Sequence, residues 1–187
     1  MLQRSMVLPA AAAMLLFATP ALAASRTYDL PPFDSVAVSA GITALIEAGG
    51  DQAVSAEAES DAVLNRLSVR VREGRLEIGL DQNLLEMVFS FGQRDPITVR
   101  VSAPALKAVE ASSGANADAR NLAGPAVTFE ASSGASVSAT GVSGEGVTVE
   151  SSSGARIVVE GTCGALVAET SSGAGADTQK LVCASVE

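Results

Sequence analysis

Apolar and polar positions alternate with a period of two along most of the chain. The alternation is sharpest from residue 127 onward. Val127, Phe129, Ala131 and Ser133 form one run; Val147, Val149, Ser151 and Ser153 form the next, followed by Leu166, Ala168, Thr170 and Ser172. Each run stops at a glycine and resumes beyond it, as at Val137 and Ala139 or at Ile157 and Val159. Two is the side-chain period of a strand, and no unit carries the 3.6-residue stripe of a helix. Ser, Gly, Val and Thr are also poor helix interiors.

The alternation is itself repeated. Glu110-Ala111-Ser112-Ser113-Gly114-Ala115 recurs from Glu130, from Glu150 and from Glu169, at spacings of 20, 20 and 19 residues. A further apolar point follows at Leu122, Val142 and Leu181. Turn residues that recur once per unit, not once per strand, predict strands that return in parallel; an antiparallel meander is the alternative. The expected fold is all-β: a right-handed parallel β-helix, or solenoid, with rungs of about 20 residues. Its regular part runs from about 105 to 187. Gly114, Gly134, Gly154 and Gly173 are the expected corners, where a positive φ suits glycine. Ser113, Ser133, Ser153 and Ser172 are expected to point inward and hydrogen-bond along the stack. A narrow interior explains a chain that is 48% hydrophobic but only 3% aromatic.

The N-terminal half follows the same logic less regularly. Phe33 to Gly41 reads as a degenerate copy of the repeat, with Ile42, Ala44 and Ile46 alternating after it. Residues 69–78 read as two strands about Glu73-Gly74, and Ile97, Val99 and Val101 as another strand, ended by Pro104. Leu84 to Phe91 is an apolar interruption, expected to be a loop or short helix covering the coil.

Residues 1–23 have the form of a secretory signal peptide: Arg4, a short apolar run from Met6, then Ala21-Leu22-Ala23. Residues 24–32 are expected to be a short linker and 33–187 a single domain, exported to the periplasm or cell surface of a Gram-negative bacterium. In an oxidising compartment Cys163 and Cys183 are disulfide candidates, with two free buried thiols as the alternative. They are near-equivalent in the repeat but out of strict register, six residues before Glu169 and four before Glu187.

Composition narrows the chemistry. The chain has no His, which excludes an imidazole base and a His-ligated metal. Twelve basic residues against 21 acidic ones give a net charge of −9, so no nucleic-acid partner is expected. The repeated Ser lacks a base, and neither lysine stands in a Ser-x-x-Lys motif. Glu110, Glu130, Glu150 and Glu169 should stack outward in one row, where adjacent carboxylates repel. They form a weak candidate Ca²⁺ site; the alternative is a solvated acidic stripe. No cofactor is expected.

Three motifs together resemble a known family. They are Phe33-Asp34-x-Val36-x-Val38, Arg72-Glu73-Gly74-Arg75-Leu76-Glu77-Ile78, and Val99-x-Val101-x-Ala103-Pro104-x-Leu106, leading into the Ser-Gly-Ala repeats. In that order they are similar to the head GIN domain family, labelled a "putative auto-transporter adhesin". The resemblance implies an exported β-solenoid of adhesin-like character with no established biochemical activity. Nothing after the repeats could form a membrane barrel, so self-export is not expected. The expected function is non-catalytic binding or envelope structure. A polysaccharide lyase or hydrolase is the alternative, but beyond residue 23 only Tyr28, Phe33, Phe89, Phe91 and Phe129 could supply an aromatic platform. Expected partners are a second copy, joined through Leu181 to Glu187, an envelope protein, or a surface glycan.

Overall fold

The computed structural model describes residues 24–81 and 96–186. The segments read as a signal peptide and as the apolar interruption at 84–91 lie outside the described residues, as does Glu187.

Among the described residues thirteen strands and one short helix follow in order. They are β1 (Ala24–Tyr28), β2 (Ser35–Val38), β3 (Thr43–Ala48), β4 (Ala53–Ala58), α1 (Asp61–Leu64), β5 (Leu67–Arg72), β6 (Arg75–Leu80), β7 (Ile97–Ala103), β8 (Ala108–Ala111), β9 (Asn116–Arg120), β10 (Ala123–Ala131), β11 (Ser136–Ser151), β12 (Arg156–Thr170) and β13 (Gly175–Val186). β1 lies within the stretch read as a linker. It pairs with β4, and α1 packs against both strands, with Val63 and Leu64 buried.

All strands belong to one sheet. Eleven follow the path β1-β4-β7-β3-β9-β11-β10-β8-β2-β6-β5, with β12 and β13 joined on beyond β11. This overturns the expected right-handed parallel β-helix: the path is a mixed sheet curling into a nearly closed barrel. Most pairs are parallel, but β1 with β4, β4 with β7, and β5 with β6 run antiparallel. The cause lies in the irregular half. The Glu73-Gly74 turn, with φ of 51° and 77°, sends β6 back along β5. β4 likewise lies antiparallel between β1 and β7, so the direction of the repeats is not kept throughout.

Within the repeats the units do lie parallel and in register. Glu110 stands opposite Glu130, Glu130 opposite Glu150, and Glu150 opposite Glu169. β2 continues the series with Val36 against Val109 and Val38 against Ala111. Inward residues therefore stack in columns. One runs Leu76, Val36, Val109, Phe129, Val149; another runs Val99, Ala44, Ala117, Val137, Ile157. Every member is almost completely buried, and burying each of the Val, Leu, Ile and Phe side chains among them contributes roughly 1.5–3 kcal/mol.

Each unit turns at its Ser-Gly pair. Ser133 and Gly134 have φ of 52° and 72°, and Ala135 N–H donates to the Ser132 carbonyl at 3.1 Å. Two successive left-handed residues closed by that bond make a type I′ turn. The same pair recurs at 113–114, 153–154 and 172–173. Ala40-Gly41 holds the same conformation, with Gly41 N–H donating to the Ser113 carbonyl. Gly134 N–H similarly donates to Ser153, and Gly154 N–H to Ser172. The expectation that the serines point inward is corrected here. Ser113, Ser133, Ser153 and Ser172 are exposed, and backbone amides carry the ladder. The turn carries only its serine outward, and burial resumes on the same parity beyond it at Ala115, Ala135 or Ala155.

The 19-residue spacing has a local origin. Between Ala139 and Val142 on β11 lie Thr140 and Gly141, but β12 opposes them with Glu160 alone. Gly161 then falls opposite Val142 with φ of 148°. Between Val158 and Glu160 the register of β13 slips back, restoring a 20-residue offset at Cys163 and Cys183.

Candidate functional site

The acidic row is the first candidate site. The outward column reads Arg70, Glu77, Ala37, Glu110, Glu130, Glu150, Glu169 across seven strands. Neutralisation is confined to one end. Arg70 bonds Glu77 at 2.8 Å, and Arg75 pairs with Glu110. Glu130, Glu150 and Glu169 have no ion-pair partner among the described residues, whereas Asp177 and Glu160 elsewhere pair with Arg156 and Lys180. The row walls a groove that continues over Ser132, Ser152 and Ser171.

Its electrostatics follow from this one-sided pairing. Partial burial, reinforced by Glu110 and Glu150 on either side, pushes the Glu130 carboxyl above its usual range. The Arg70 bond holds Glu77 below that range. The structure thus brings together all four glutamates of the expected row but gives no clustered cation site. Among the described residues no three carboxylate or thiolate groups converge where one ion could bind them. A straight outward column on a sheet spaces its members one strand apart instead of aiming them at a point.

Cys163 and Cys183 lie directly opposite each other on β12 and β13, with Cα atoms 4.4 Å apart, and their sulfurs are joined. The slip before Glu160 brings them into the strict register that the repeat spacing did not predict. Gly114, Gly134, Gly154 and Gly173 all take a positive φ of 72–73°. Leu181 is buried, whereas Val182 and Val186 on β13 are each 71% exposed. Ser151 takes an inward position held by Ala111 and Ala131 in the neighbouring units, and its buried hydroxyl has no partner. No helix among the described residues is long and apolar enough to cross a membrane.

A second groove was not anticipated. It lies on the outer face of β4, β7, β3 and β9, adjacent in that order. Arg100, Leu45 and Asp118 stand side by side in one cross-strand row, and Ser102, Glu47 and Arg120 in the next. The sequence carried one signal of it. Leu45 is an apolar residue between the polar Thr43 and Glu47 on the outward register of β3, where it remains half-exposed.

A family model described as "Putative auto-transporter adhesin, head GIN domain" matches residues 32–187. No curated protein matches the chain. A crystal structure titled a putative adhesin, from Bacteroides fragilis NCTC 9343, shares a TM-score of 0.75 at 13% identity, covering 88% of this chain and 74% of that one. A putative lipid binding protein from Parabacteroides distasonis ATCC 8503 gives 0.60 at 12% identity, with 88% and 76% covered. A putative adhesin from Parabacteroides merdae ATCC 43184 gives 0.59 at 12%, with 88% and 75% covered. At such identities these likenesses speak for the fold alone.

Proposed function

Since the chain belongs to the head GIN domain family, described as putative auto-transporter adhesins, we propose that it is an exported, adhesin-like binding domain that acts without catalysis. The adhesin character of the family supports a binding role and a place at the cell envelope. The observation that carries the reading is how the polar groups are held. Both grooves are built from outward side chains on paired strands, at strand spacing, with Glu130, Glu150 and Glu169 in one and Glu47, Asp118 and Arg120 in the other making no ion pair among the described residues. Such a surface displays groups to a partner, and its rigid backbone keeps the entropic cost of binding low. Catalysis would instead use an acid and a base aimed at one reacting atom.

Beads coated with the full chain test the proposal. They should adhere to bacterial cells or to immobilised envelope polysaccharide, while uncoated beads should not. Fractionation and protease shaving of cells producing a tagged chain should recover it outside the cytoplasm. An unsaturated product absorbing in the near ultraviolet, released from an acidic polysaccharide, would overturn the non-catalytic reading in favour of a lyase.

A further inference from the structure

We propose that the outer face of β3, β4, β7 and β9 is a saccharide-binding site that takes a neutral hexose polymer. The inference rests on the binding reading above and gives it a location and a ligand class.

The polar groups of this face are arranged with alternating sign. Arg100 and Asp118 stand on either side of Leu45, and in the next row Arg120 stands beside Glu47. Neighbouring strands lie about 4.8 Å apart, and alternate residues about 7 Å apart, so the patch measures about 10 Å by 7 Å. That size suits one or two sugar rings. Arg120, Glu47 and Asp118 make no ion pair or side-chain hydrogen bond with any described residue, and all three are exposed. Arg100 meets Glu57 at 3.5 Å on the flank, which leaves most of its guanidinium donors free. Donors and acceptors therefore stand side by side without satisfying one another.

A hexose matches this array. Each hydroxyl both donates and accepts, so neighbouring hydroxyls can give to Asp118 or Glu47 while taking from Arg120 or Arg100. The carbon-bound hydrogens of the ring need an apolar floor, which half-exposed Leu45 supplies at the centre of the patch. The charge balance selects a neutral ligand. Two arginines offset two carboxylates here, and the net −9 of the whole chain repels a polyanion. An acyl chain or apolar peptide would strip water from these charges without replacing the lost hydrogen bonds.

The test uses the full chain on immobilised dextran, α-mannan and galactan, with heparin as the anionic comparison. At least one neutral glycan should retain the protein. Arg120→Gln and Asp118→Asn should each weaken that retention about tenfold or more, the scale of losing a hydrogen bond to a charged group. Glu145→Gln, exposed and outside both grooves, should leave it unchanged. Leu45→Thr, well suited to a strand, should weaken it too and guards against a misfolded polar variant. Retention by heparin alone, by no neutral glycan, or undiminished in the Arg120 and Asp118 variants would overturn the site. Bead adhesion that persists while every neutral glycan fails removes this inference alone; loss of both removes the binding reading as well.

Discussion

Substituting Gly161 tests how the short repeat is accommodated. Its φ of 148° lies in a region that L-residues rarely adopt, and it faces Val142 where β11 carries one residue more than β12. A Cβ built there would run into the Val142 carbonyl oxygen and come within 2.7 Å of its nitrogen and 2.8 Å of its carbonyl carbon. Those are backbone atoms in the middle of a sheet, with β13 pairing on the other side of β12, so neither strand can step away. We expect Gly161→Ala to cost roughly 2–4 kcal/mol, the sum of a strained dihedral and an overpacked contact. Gly134 is the control. Its φ is 72°, but a Cβ there meets nothing within 4 Å. Gly134→Ala should therefore carry the left-handed penalty alone, about 1–2 kcal/mol, and Gly134→Val roughly 1–3 kcal/mol. Urea titration of the three variants against the parent gives the comparison, with unchanged slopes showing that midpoints report stability. If Gly161→Ala proves no more damaging than Gly134→Ala, the bulge is not the rigid contact described here.

The remaining expectations are briefer. Phe129→Ala should cost about 3–5 kcal/mol, because the ring is fully buried between Val109 and Val149 and leaves a cavity; a midpoint close to the parent's would contradict that packing. Unfolded, unreduced protein should titrate no thiol, and reduction should cost on the order of 3 kcal/mol for a loop of about 20 residues; two reactive thiols would remove the Cys163–Cys183 bond. Glu130 has a raised pKa when folded, so its ionisation opposes folding: the penalty is absent well below about pH 4 and fully present above the folded value. Glu130→Gln should hence stabilise at neutral pH, by about 0.5 kcal/mol or less given its exposure, and the gain should vanish in acid. Sedimentation at tens of micromolar should report a dimer formed along β13, where Val182 and Val186 are exposed, and a strict monomer would exclude it.

Much of the repeat half was legible because its information is local. The Glu-x-Ser-Ser-Gly-Ala unit announces its own turn, and equal spacing places Glu130 against Glu150 without knowledge of the rest. The reversals were not legible as a change of fold. The Glu73-Gly74 turn was recognisable, but nothing nearby tells whether β4 pairs with β1 and β7 or with some other strand. The serine orientation was misread because alternation was applied to the turn itself, where the left-handed Ser-Gly pair carries the serine outward before the same parity resumes at Ala115, Ala135 and Ala155. The second groove, signalled in the sequence by Leu45 alone, was missed for a different reason. Leu45, Arg100 and Asp118 are far apart in the chain, and only the order of strands makes them neighbours.

The in-register stacking of the units also bears on how such a chain can change over generations. Copying or losing one whole unit moves every later residue by a full period, so each side chain re-enters the column it left. Slippage during replication would thus lengthen or shorten the acidic row without disturbing what lies beneath it. Loss of a single residue is a different event. It displaces everything downstream unless a glycine stands where the strands must close up, as Gly161 does opposite Val142. The regular part of the protein is in this sense heritable by the unit, and Gly161 marks a place where the fold accommodates a smaller step.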